Sequence, residues 1–104
     1  MAGAIGGVAL ERVPNMSTYL VTYDLSKPGQ HYEKVKKFLE SFRSTHALQS
    51  VWFVQTSMSA RALAEKLLEC VDSNDSFVVT PVAVGGTCSF GLLGSTLDWL
   101  NNAA

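Results

Sequence analysis

The stretch Ser17–Asp24, reading STYLVTYD, constrains this chain more than any other. Six of its eight residues are β-branched, aromatic or aliphatic, the types that fit a pleated and packed surface. Alternation sends Tyr19, Val21 and Tyr23 to one face and Thr18, Leu20 and Thr22 to the other. Both sets can be covered, so the stretch reads as a central strand. It ends on the carboxylate of Asp24 and runs into a polar loop with a turn signal at Pro28-Gly29. An acid in that place is either a site of chemistry or a plain cap of the turn.

The remainder of the chain supplies partners for such a strand. From His31 onward Tyr32, Val35, Phe38, Leu39 and Phe42 recur at helical spacing, which predicts a helix to about Phe42 or Arg43. Residues 46–57 admit two readings: one long strand, or a hairpin turning near Ser50 without the usual Gly or Asn. Ser57 or Ser59 can cap a second helix, whose stripe is Ala60, Leu63, Ala64, Leu67, Leu68 and Val71. After the polar turn Asp72–Asp75 comes a strand from Ser76 to Val84. Pro81 lacks a ladder donor and assigns this strand to a sheet edge or a bulge. A short terminal helix begins near Ser95, with Leu97, Trp99 and Leu100 expected to dock.

Read as a hairpin, residues 46–57 make the order βαββαβ. That is an α+β, ferredoxin-like plan: a four-stranded antiparallel sheet, two helices on one face, and a short C-terminal helix. The other face of the sheet then needs a partner. Tyr19, Tyr23 and Trp52 are candidates to line either face, and a bare aromatic face would favour a homodimer. A length of 104 residues, 47% hydrophobic and 16% charged, fits one domain with a real core. Residues 16–104 are expected to form it. Residues 1–15, small and apolar and without a basic start, are expected to be an extension: a leader, an upstream-start artefact or a vector remnant.

A net charge of −1 provides no global field for nucleic acid, so any such binding needs a local patch. No run is long enough to span a bilayer as a helix. Cys70 and Cys88 lack metal-ligand spacing and are expected to be reduced thiols in a cytoplasmic protein. Lys27, Lys34, Lys36 and Lys37 form the one basic concentration, which is either a solvated face or a contact for a nucleic-acid backbone. Ser26, Lys27 and Ser50 could contact phosphate near Asp24, or be ordinary loop and turn residues. His31 and His46 fall in no recognisable catalytic order.

Tyr19–Asp24, Lys27-Pro28-Gly29, Leu48–Thr56, and Ser73-Asn74-Asp75 before the last strand together resemble a known family. It is the CRISPR-associated adaptation nucleases of the Cas-two type, especially their stand-alone SinR-like relatives, and the likeness runs from Met16 to about Val84. The resemblance implies a ferredoxin-like fold and so the hairpin reading. It also implies that Asp24 is the catalytic acid and binds Mg²⁺ or Mn²⁺ at a homodimer interface, for cleavage of RNA or DNA. Lys27, Ser50, Lys34 and Lys37 are then the candidate nucleic-acid contacts. Several members of that family are better described as structural subunits, so a non-catalytic assembly or nucleic-acid-binding subunit is the alternative.

Overall fold

The computed structural model describes residues 16–26 and 32–103. The expected extension at residues 1–15, together with Lys27, Pro28-Gly29 and His31, lies outside the described residues. In chain order the elements are β1 (Ser17–Asp24), α1 (Tyr32–Glu40), β2 (Arg43–Leu48), β3 (Val51–Thr56), α2 (Ala60–Leu68), β4 (Ser76–Pro81) and α3 (Gly94–Ala103), with a 3₁₀ turn at Val84–Gly86. The four strands form one antiparallel sheet in the order β2-β3-β1-β4, so the fold is α+β and ferredoxin-like.

Register decides which residues meet. Tyr19 pairs with Val54, and Val21 lies between Trp52 and Val79. Tyr23 pairs with Phe77 across the β1–β4 ladder. These side chains share one face, and α1 and α2 close it with Val35, Leu39, Leu63 and Leu67, all fully buried. Tyr19 and Tyr23 of β1 and Trp52 of β3 are therefore in the helix-side core. Trp52 is 2% exposed, and its indole N–H donates to the Tyr23 hydroxyl at 3.2 Å. The Tyr19 hydroxyl donates to the Met58 carbonyl at 2.7 Å, so both buried phenols keep a polar partner.

Several boundaries differ from the sequence expectation for identifiable reasons. The hairpin is present and the single long strand is not, but β2 starts at Arg43 and α1 stops at Glu40. Polar β2 carries no apolar alternation to announce it. It is held by its ladder to β3 and by the Ser44 hydroxyl, which donates to the Leu39 carbonyl at the end of α1 at 2.7 Å. The ladder slips by one residue between His46 and Leu48, which lets the chain turn at Gln49-Ser50 without a glycine. Ser59, rather than Ser57, caps α2 by accepting from the Ala62 N–H at 3.0 Å. β4 is an edge strand, as Pro81 requires, and it ends at that residue.

The second face is half closed by α3. Phe53 stacks on Trp99 with centroids 6.5 Å apart, and the Thr45 and Thr96 hydroxyls are 3.0 Å from each other. Thr96 and Leu100 are buried, whereas Leu97, expected to dock, is 41% exposed. Of the two faces open to the aromatics Tyr19, Tyr23 and Trp52, the structure places them on the one that the helices cover. Tyr19, Tyr23 and Trp52 face α1 and α2, and the part of the second face that no other described element covers holds half-buried Leu20 and Thr22 and an exposed Val78.

Candidate functional site

Asp24 is the last residue of β1, paired with Ser76 at the start of β4. Tyr23 points into the core, so alternation turns Asp24 toward the second face, where it is exposed. A shallow depression there is lined by Thr22, Tyr23, Asp24, Ser76, Phe77 and Val78. Leu25, immediately after the acid, is buried in the core. The Asp24 carboxylate thus extends from a backbone pinned on both sides. Among the described residues it makes no hydrogen bond or ion pair.

Ser50 comes close to this end of the sheet. It lies in the β2–β3 turn, and its carbonyl accepts the Tyr23 N–H at 3.2 Å. Lys34 and Lys37 are exposed on α1, the layer on the opposite side of the sheet from Asp24. The fold therefore brings Ser50 to the Asp24 end of β1 and leaves those two lysines behind the sheet. Lys34 sits near the Cys70 thiol, whose pKa is pushed up by burial and by Glu69 and pulled down by Lys34. Cys70 is half-buried against the core and Cys88 is exposed; both are free thiols.

Asp75, which the sequence presents as one residue of a polar turn before the last strand, has a role that the sequence does not announce. Its carboxylate accepts the Ser26 N–H at 2.7 Å, the Ser26 hydroxyl at 3.0 Å and the Asp72 N–H at 2.8 Å. The spacing of Asp72 and Asp75 hints at a closed turn. Ser26 is 49 residues away, and only the β1–β4 register brings it there. His46 also has a structural role: its ring stacks on Trp52 at 4.3 Å, and its Nε2 lies 2.9 Å from the Gln49 carbonyl.

Hard divalent cations take carboxylate oxygens, and Asp24 is of the right chemical type. One carboxylate is too few for a tight site. Among the described residues, no group of three or more His, Cys, Asp or Glu is placed to hold a metal ion. No helix among them is long and apolar enough to cross a membrane.

No family model matches the chain, and no curated protein matches it. A solved structure, described as a hypothetical protein TT1823 from Thermus thermophilus, is similar to it with a TM-score of 0.60 and 22% identity. The match covers 73% of this chain and 92% of that one. At that identity the likeness concerns the fold alone, which it shares with the ferredoxin-like architecture described above.

Proposed function

We propose that this chain is a Cas-two-like homodimer in which two copies of Asp24, brought together across a two-fold axis, bind Mg²⁺ or Mn²⁺ and cleave RNA or DNA. The observation that carries this reading is the placement of Asp24. It is an exposed acid without a partner among the described residues, at the end of a central strand, on the sheet face that α3 covers only in part. A second copy seated on Leu20, Thr22 and Val78 would supply the second carboxylate that one chain lacks. When bound, such a cation supplies Lewis acidity to a phosphoryl oxygen. The residues of this chain would do the rest. Asp24 would orient the cation, Ser50 and Lys27 would contact phosphate, and the fixed exit of β1 would hold the acid in place.

A second reading, a non-catalytic assembly or nucleic-acid-binding subunit of the same fold, is favoured by one observation. Lys34 and Lys37 lie on the layer away from Asp24, so these two basic residues cannot hold a backbone against the acid within one chain. The free thiols of Cys70 and Cys88 accord with a cytoplasmic setting for either reading.

Two measurements separate the readings. Sedimentation at micromolar concentration should give twice the chain mass; a monomer sinks the shared site. Asp24→Asn keeps the size and removes the charge. It should abolish Mg²⁺- or Mn²⁺-dependent cleavage of single-stranded RNA or duplex DNA, and change stability by no more than about 0.5 kcal/mol, as for an exposed side chain without a partner. A dimeric wild type that cleaves neither substrate with either metal supports the assembly subunit. Equal cleavage by wild type and Asp24→Asn removes Asp24 from the chemistry.

A further inference from the structure

We infer that Asp75 is a positioning residue for Asp24, a latch that fixes the direction in which the chain leaves β1. The inference rests on the metal-site reading of Asp24 for its functional half and on geometry for the latch itself.

The last rung of the β1–β4 ladder is Asp24 with Ser76. Beyond that rung, the two chains would be free to part. Among the described residues, the Asp75 carboxylate ties them together. Oδ1 of Asp75 takes both the N–H and the hydroxyl of Ser26, at 2.7 and 3.0 Å. Oδ2 takes the Asp72 N–H at 2.8 Å, while the Asp75 N–H donates to the Asp72 carbonyl at 3.0 Å. The turn before β4 is thereby closed on itself and also fastened to the strand exit.

Closing the turn requires only the exchange with Asp72. The two bonds to Ser26 do something else: they extend the rigid part of β1 two residues past its last ladder pair. Asp24 then sits between a ladder rung on one side and two anchored residues on the other, Leu25 in the core and Ser26 on the latch. These anchors restrict tilting of its backbone, so the carboxylate is left mainly with its own rotamers. Pre-setting a ligand in this way lowers the ordering cost of binding. Hydrogen bonds to an ionised acceptor are stronger than neutral ones, which suits a carboxylate to this task.

The test uses the full chain with Mn²⁺ as the probe, and reads amide exchange alongside Mn²⁺ affinity. Asp75→Ala should speed exchange of the Ser26 amide about tenfold while amides within β1, such as that of Val21, keep their protection. It should weaken Mn²⁺ binding by about the same factor, because the ligand must be ordered on binding. Ser26→Ala removes only the hydroxyl bond and leaves the Asp72–Asp75 turn whole; it should fall between wild type and Asp75→Ala in Mn²⁺ affinity. Faster exchange with unchanged Mn²⁺ affinity would show that Asp75 merely closes a turn, and would overturn the positioning role. If wild type binds no Mn²⁺, the metal reading fails by itself. The latch is then judged on exchange alone, and an unchanged Ser26 amide in Asp75→Ala overturns it.

Discussion

The two faces of the sheet are built by the same alternating strands and end in opposite states. On one, Tyr19, Val21 and Tyr23 of β1 meet Trp52 and Val54 of β3 and are sealed by two helices whose inward leucines are fully buried. On the other, among the described residues, α3 covers the β2–β3 half, through Phe53, Trp99, Thr45 and Thr96. The β1–β4 half carries Leu20, Thr22 and Val78, with Val78 still 55% exposed. Stability is concentrated on the sealed face. The β1–β4 half, with Asp24 at its end, is the surface to which the proposed function assigns a partner and a substrate. The candidate chemistry and the fold's stability thus occupy different surfaces of one strand, separated by the two-residue period of its side chains.

The comparison breaks first at the sealed face. Leu67→Ala removes a fully buried side chain between α2 and the sheet and should cost about 2–5 kcal/mol, read by urea unfolding. A loss below about 1 kcal/mol would mean that this layer does not carry the stability assigned to it.

The polar part of the same face comes next. Tyr23→Phe leaves the buried indole N–H of Trp52 without its acceptor and should cost about 1–3 kcal/mol. It also predicts a pH signature. Burial pushes the Tyr23 hydroxyl above its ordinary pKa of 10.0, aided by Tyr32 and opposed by the bond from Trp52. A raised folded-state pKa means that the folded protein holds its proton when the unfolded chain has lost it. The contribution is therefore complete below pH 10 and is lost as pH rises through the folded-state pKa. Wild type should lose stability above pH 10 more steeply than Tyr23→Phe, narrowing the gap between them. Parallel curves would show that the phenol's burial is not felt. A smaller effect belongs to the cap of α2. Ser59→Ala removes the acceptor of the Ala62 N–H and should cost about 1 kcal/mol in the same unfolding assay.

How much of this was legible in the sequence depends on the range of the signal. The helical stripes around Leu39 and Leu67, the edge position of Pro81 and the acid at the end of β1 are local patterns, and each is realised. The start of β2 was not visible, because Arg43, Ser44 and Thr45 are polar and acquire strand geometry only from pairing with β3. Which face the aromatics take was also left open. Strand periodicity separates Tyr23 from Thr22 but cannot say which set meets the helices. The link between Asp75 and Ser26 depends on register across 49 residues and has no local signature at all. At the candidate site, then, the acid was legible, whereas the residue that holds its strand exit was not.

The last test addresses the β1–β4 half directly, where the expected effect on folding is smallest. Val78 projects from β4 with 55% of its surface exposed, beside Leu20 and Thr22 on the central strand. In a lone chain, Val78→Ser gives up little burial, and unfolding at low protein concentration should shift by no more than about 0.5 kcal/mol. The same substitution removes apolar surface from the face proposed to seat a second copy. If that copy binds there, the melting temperature of wild type should rise with protein concentration, by mass action, and that of Val78→Ser should rise less. A variant as dimeric as wild type in sedimentation would move the proposed interface off this half of the sheet. The Asp24 carboxylates would then have no two-fold axis beside them. A large loss of stability in the isolated chain would instead mean that this half is already covered within one copy, and the contrast between the two faces would vanish.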